Sequence, residues 1–133
     1  MNGQFMIERE IERAPAPWGT FRLVSDPVST SARQITGLDV KLVPGKGHSF
    51  HKHPDQEEVI YVLAGKVEQW IEGEKRILGP GDAAFIPAGV VHASFNAGQN
   101  DARLYVVFSP CVGEGGFVSV ELGEEMPWKA LRN

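Results

Sequence analysis

Cysteine is almost missing from this chain: Cys111 is the single one in 133 residues, so neither an intrachain disulfide nor a thiolate metal cluster can form. That scarcity fits a reducing compartment. Long apolar runs are missing too, and nothing approaches the roughly 18–20 apolar residues that a membrane helix needs. The opening MNGQFMIEREIER carries Glu8, Glu10 and Glu12 where an export signal needs an apolar stretch. A cytoplasmic protein without a membrane partner is expected. Basic residues are few and scattered, 13 Lys and Arg against 17 Asp and Glu for a net charge of −4. Nothing marks a phosphate-binding face, which excludes nucleic acid as the expected partner. No serine sits in a Gly-X-Ser-X-Gly turn and Cys111 has no motif around it, so a nucleophilic hydrolase is not supported. Helical periodicity is also lacking, apart from a weak pattern over residues 124–131.

What the chain does have is short β-prone segments separated by turn residues. With 42% hydrophobic residues, 133 residues suffice for one core and not for two, so 1–133 is read as a single domain. Two prolines in APAPW (14–18) forbid a regular helix, and TFRLV (20–24) is β-prone. Trp18 and Phe21 are assigned to the core or an interface. DPVSTSA (26–32) reads as a loop able to lie over a pocket mouth. Leu38, Val40 and Leu42 alternate with Asp39 and Lys41, as in a half-buried strand over 38–43, and Pro44-Gly45 turns it. Further strands are expected at 58–64, 66–71, 75–78, 83–86, 93–96, 103–109 and 117–122, with a hairpin at Glu72-Gly73-Glu74. This spacing predicts an all-β protein, an antiparallel barrel closed or nearly so, which removes exposed sheet edges.

Chemistry concentrates in two stretches, GKGHSFHKHPDQEEVIYVLAG (45–65) and GDAAFIPAGVVHASFN (81–96). Residues i and i+2 of a strand face the same side, so His51 and His53 can both point inward while Lys52 points to solvent. Glu58 begins the next strand and His92 comes from a third. Three imidazoles and one carboxylate read as a four-ligand site for one divalent transition metal, Fe, Mn, Ni, Cu, Co or Zn, and do not favour Ca or Mg.

The spacing of these residues resembles that of a known family, the cupins. Its first motif, a glycine, five residues, His-X-His, three or four residues, a glutamate, six residues and a glycine, is matched by Gly45, His51, His53, Glu58 and Gly65. Its second, a glycine, five residues, Pro-X-Gly, two residues, a histidine, three residues and an asparagine, is matched by Gly81, Pro87, Gly89, His92 and Asn96. The resemblance, carried over about 38–109, implies a single jelly-roll barrel with short terminal extensions and metal-dependent chemistry on a small molecule.

Strand parity nominates the pocket wall. Glu58, Ile60 and Val62 are expected to face in; Val59, Tyr61 and Leu63, and beside them Glu57, face out. With Val67 and Ile71 inward, Gln69 faces in and Trp70 out. Ser94 shares parity with His92. The expected substrate pocket is thus Gln69, Ser94, Ile60, Val62 and one face of the 104–108 strand, largely apolar, with His48 at the rim and Asn96 satisfying a turn. Among metal-dependent reactions the reading favours a dioxygenase-type oxidoreductase. Alternatives are a ligand-binding or sensing module without turnover, a lyase or decarboxylase, and a sugar isomerase or epimerase hinted at by Pro17-Trp18-Gly19. A homodimer is expected through outward Trp70, Tyr61, Val59 and Leu63.

Overall fold

Period-two alternation carries through most of the fold. The computed structural model describes residues 3–132, beginning with one 3-10 turn at Glu8–Glu10. Eleven strands follow: β1 (Ala14–Ala16), β2 (Gly19–Ser25), β3 (Thr36–Leu42), β4 (Gly47–Lys52), β5 (Glu57–Ala64), β6 (Val67–Ile71), β7 (Glu74–Leu78), β8 (Ala83–Ile86), β9 (His92–Asn96), β10 (Ala102–Ser109) and β11 (Val120–Glu121). Two one-turn helices, α1 (Pro27–Thr30) and α2 (Trp128–Leu131), complete the described residues, and no helix is long and apolar enough to cross a membrane.

The strands form two antiparallel sheets, β1-β2-β3-β10-β5-β8 and β11-β4-β9-β6-β7. The architecture is all-β and jelly-roll-like as expected, but among the described residues no ladder joins the two sheets. The expected barrel is therefore a two-sheet sandwich. All four edge strands are short: β1 has three residues with Pro15 unable to donate, β11 two, β8 four and β7 five, which limits the edge each sheet exposes.

Burial on β5 alternates with Glu58, Ile60 and Val62 inward and Glu57, Val59 and Tyr61 outward. The register places Ile60 beside Val106 and Val62 beside Leu104, and on the other side of β10 Val106 meets Leu38 and Leu104 meets Val40. These side chains, with Leu42, Val67, Ile86 and Phe108, make the core between the sheets. Close approach sets some glycines. A Cβ on Gly47 would sit 2.1 Å from the Ser94 carbonyl, so only glycine lets β4 lie this close to β9.

A second apolar layer corrects the reading of Trp70. It does face away from the core, yet it is buried with Phe50, Val91, Ala93 and Phe95 under Leu122, Trp128 and Leu131 of the chain's own carboxyl-terminal segment. The ring of Phe50 stands edge-on to Trp70 at 5.5 Å, and Trp128 stacks on Phe50 at 5.8 Å. Glu68 fastens this cover, accepting from Trp70 Nε1 and from Arg132 Nε, each at 2.7 Å. The weak helical pattern near the end thus becomes α2, whose apolar side has this layer to cover.

The 26–32 loop is corrected as well. Asp26 caps α1 by accepting the Ser29 amide at 3.0 Å, with Pro27 in the first turn, and none of these residues lines the cavity described below. On the outward side of β3, Asp39 is buried among Arg13, Arg22 and Arg103. Burial alone would raise its carboxyl, but Arg103 and Arg13 hold it below the usual range. Asn96 satisfies a turn as expected: its Nδ2 donates to the Leu42 and Asn100 carbonyls, both at 2.8 Å, and its Oδ1 accepts from Gly98.

Candidate metal centre

His51 lies on β4, His53 just beyond its end, Glu58 at the start of β5 and His92 at the start of β9. Antiparallel pairing puts His51 directly opposite His92, and Glu58, second residue of β5, faces them from the other sheet. All four side chains are buried, at 4%, 3%, 5% and 0% exposure respectively. Nitrogen atoms of the three imidazoles lie within 4.8 Å of one another, while Glu58 Oε1 stands 2.7 Å from His92 Nε2 and 3.3 Å from His53 Nε2.

Hydrogen bonds on the far side of each ring fix what faces inward. His51 Nδ1 lies 2.6 Å from the Ser49 carbonyl, His53 Nδ1 2.9 Å from the Val118 carbonyl and His92 Nδ1 3.0 Å from the Val90 carbonyl. A carbonyl only accepts, so every Nδ1 carries the hydrogen and each neutral ring is left with a bare lone pair on Nε2. His53 Nε2, His92 Nε2 and Glu58 Oε1 are buried without any hydrogen-bond partner. Lone pairs converging at such distances repel unless a cation lies between them, and orphaned buried acceptors are costly. The residues present therefore fit a divalent transition ion, and the backbone carbonyls are the supporting contacts that such imidazole ligands use.

The same contacts set the direction in which each of these groups shifts. Burial would raise the Glu58 carboxyl, but His53 and His92 hold it below its usual range. Burial would lower His92, but Glu58 outweighs it and His92 is raised. His51 has no such partner; burial, reinforced by positive charge on His48 and His92, pushes it well down.

Beside these groups opens a cavity of about 120 Å³ whose walls are mostly apolar, including Leu38, Val40, Leu104, Val106 and Phe108. Of the expected pocket residues, Ile60 and Ser94 line it. Val62 does not, being fully buried in the core. Gln69 does not either: its Oε1 accepts from Ser94 Oγ at 2.6 Å, and it faces a separate hollow between β6, β7 and β8. Parity placed it on the correct face of β6, but Ser94 on the neighbouring strand stands between it and the cavity. Trp18, Phe21, Phe117 and Ser119 also line the cavity. Phe117 and Ser119 belong to residues 110–119, an irregular strap where a strand from 117 was expected, and no local pattern marks them. His48 does reach the rim, stacked on His51 with ring centroids 3.5 Å apart and bonded to Glu121 Oε1 at 2.7 Å.

Known proteins resemble this chain in sequence and in fold. Over 103 residues the chain is 33% identical to polyketide synthase CurC of Streptomyces cyaneus, covering 77% of this chain and 66% of that protein. It is 48% identical over 81 residues to quercetin 2,3-dioxygenase of Bacillus subtilis (strain 168), covering 51% of this chain and 24% of that one. The chain thus spans only part of the length of the relatives it matches. Among solved structures, KdgF from Halomonas sp. superposes with a TM-score of 0.73 at 28% identity, over 80% of this chain and 94% of that one. Residues 38–108, more than half of the 133, match the family described as the cupin domain, across both histidine-bearing motifs; this chain belongs to the cupin family.

Proposed function

We propose that the chain is a metal-dependent enzyme acting on a small, largely apolar organic molecule, a dioxygenase-type oxidoreductase, with His51, His53, Glu58 and His92 holding one divalent transition metal. The observation that carries the reading is the convergence of unpartnered His53 Nε2, His92 Nε2 and Glu58 Oε1 at the wall of an apolar cavity. Similarity to a relative named quercetin 2,3-dioxygenase supports the reaction class. When bound there, such a metal supplies Lewis acidity or a dioxygen-binding centre.

The protein's own groups set what enters. A cavity of about 120 Å³ is well below the ~300–1,000 Å³ of pockets for drug-sized ligands, which favours a compact substrate or one compact end of a larger one. Ser94 has committed its hydrogen to Gln69, so toward the cavity it offers lone pairs and selects a substrate O–H or N–H. Beyond the four proposed ligands, His48 is the one titratable group in the lining. Held by Glu121, it is placed to exchange a proton with bound substrate. The lining contains no lysine or arginine, which disfavours a phosphorylated sugar and with it the isomerase reading.

The test is metal analysis of protein purified without a histidine tag, followed by anaerobic reconstitution and oxygen-uptake assays with small diketones, phenols and thiols. Metal-dependent uptake is expected with at least one class. Thermal stabilisation by these compounds without product would replace this reading by that of a ligand-binding module.

A further inference from the structure

Gln56 is almost fully buried, two residues before Glu58, and does not line the cavity. Its side chain is bonded only to main chain 54 to 62 residues away: Nε2 donates to the Pro110 carbonyl at 2.7 Å and the Gly116 carbonyl at 2.9 Å, and Oε1 accepts the Val118 amide at 3.1 Å. The partners dictate this orientation, since carbonyls only accept and an amide N–H only donates. Val118 in turn presents its carbonyl to His53 Nδ1 at 2.9 Å. One residue thus has its amide held by Gln56 while its carbonyl holds an imidazole of the metal centre.

The alternative acceptor shows why this hold matters. Ser119 Oγ lies 3.3 Å from the same His53 nitrogen, and a hydroxyl can donate as readily as accept. With the Val118 carbonyl in place, His53 must carry its hydrogen on Nδ1. With that carbonyl displaced, Ser119 can donate to Nδ1, the hydrogen moves to Nε2, and the lone pair facing the site is lost.

We propose that Gln56 is a positioning residue for His53: acting through Val118, it selects the tautomer that leaves Nε2 free toward the metal site. The inference rests on the metal-centre reading for its purpose, though not for its geometry. Thr36 supplies the internal control. Its Oγ1 also donates to the Gly116 carbonyl, at 2.8 Å, so it fastens the same strap without bonding to Val118.

The experiment compares wild type, Gln56→Met and Thr36→Val. Imidazole ¹⁵N NMR of the metal-free proteins at pH 8 reads the His53 tautomer, Zn²⁺ titration against a chromophoric chelator reads affinity, and thermal denaturation reports the fold. Wild type is expected to show His53 with its hydrogen on Nδ1. Gln56→Met should show a mixture of tautomers and a roughly ten- to hundredfold loss of Zn²⁺ affinity, the scale for contacts that support metal ligands. Thr36→Val should lower thermal stability yet leave tautomer and affinity within about twofold of wild type, because the contact that supports His53 is untouched.

A wild-type tautomer in Gln56→Met overturns the proposal, and so does an equal shift of tautomer and affinity in Thr36→Val, which would make Gln56 an ordinary fastening of the strap. If wild type binds no Zn²⁺ while Gln56→Met still changes the tautomer, the metal reading fails and the hold on His53 stands. Should Gln56→Met not fold, Gln56→Glu separates the two roles: its carboxylate still accepts from Val118 but loses both donations to the Pro110 and Gly116 carbonyls, so thermal stability should fall while His53 keeps its hydrogen on Nδ1, and a mixed tautomer there would overturn the proposal.

Discussion

Glu58 Oε1 lies 2.7 Å from His92 Nε2, yet neither atom has a hydrogen-bond partner. Bonding of His92 Nδ1 to the Val90 carbonyl leaves no hydrogen on Nε2 of the neutral ring to place between them. Two acceptors are held at hydrogen-bond distance by strands from opposite sheets, and only a proton or a cation resolves the contact. Both outcomes can be measured.

His92→Ala removes one proposed ligand from a site whose backbone does not depend on it, since β9 remains laddered to β4 and β6. The loss of metal affinity should exceed the roughly 10–100-fold seen when only a supporting contact is removed, with a native far-UV circular dichroism spectrum. Unchanged metal content in the purified variant would reject His92 as a ligand.

Acid should weaken metal binding first through His92. Its raised affinity for a proton, with Glu58 outweighing burial, makes competition begin above the ordinary imidazole value of about 6.5. Glu58→Gln takes away that proton's partner and should move the onset to lower pH. The check is Zn²⁺ affinity measured from pH 8 to 5.5, where a flat profile for wild type would count against a histidine site.

The metal-free protein has its own pH dependence. His51 and His48 are both lowered, chiefly by burial. Their contribution to stability is present above the unfolded value of about 6.5 and is lost as pH falls through their folded values. His92, being raised, contributes fully below about 6.5 and loses that contribution as pH rises through its folded value. Two depressed groups oppose one raised group, so the thermal midpoint without metal should fall between pH 7.5 and 5. A midpoint that rises on acidification would show that the Glu58–His92 pair dominates.

The parts of the site legible in the sequence were those carried by local periodicity. His51 and His53 share a strand face, Glu58 follows from parity with Ile60 and Val62, and His92 sits at fixed distance from two turn glycines. Properties set by distant chain were not legible. Trp70 was read correctly as facing away from the core, but its cover, Trp128 and Leu131, lies about sixty residues further on and gives no pattern near Trp70. Gln69 lies on the expected face of β6, yet its neighbour across the ladder, Ser94, stands between it and the cavity, a matter of pairing and not of parity. The strap bearing Phe117 and Ser119 is irregular backbone held by Gln56, whose partners no periodicity links to it.

Self-association is the next expectation, with a changed surface. Trp70 is covered by its own chain, which leaves Val59, Tyr61 and Leu63, each 41–43% exposed, and Phe85, 53% exposed, on the outer face of the six-stranded sheet. Val59 and Phe85 are cross-strand partners, so the patch is continuous, of a kind that monomers seldom leave to solvent. Sedimentation at micromolar concentration should give twice the chain mass of 14.6 kDa, and Phe85→Glu should shift it toward one. A wild-type mass of one chain would end this reading.

The adjacent acids Glu57 and Glu58 test the register beneath the whole site. Their strand pairs Glu58 with Phe108 and Ile86, in the core, while Glu57 is exposed opposite Ser109. A slip of one residue would exchange them and turn Val59 and Tyr61 inward in place of Ile60 and Val62. Glu58→Gln keeps the shape but removes the charge that lies beside His53 and His92, so Zn²⁺ affinity should drop by at least about tenfold, the lower end for loss of a supporting contact. Glu57→Gln changes a solvated group, and both affinity and stability should stay within about 0.5 kcal/mol of wild type. Calorimetric Zn²⁺ titration with denaturant unfolding decides between them. Loss of metal on Glu57→Gln with retention on Glu58→Gln would reverse the faces of β5, and the inward list of Ile60 and Val62 would fall with it.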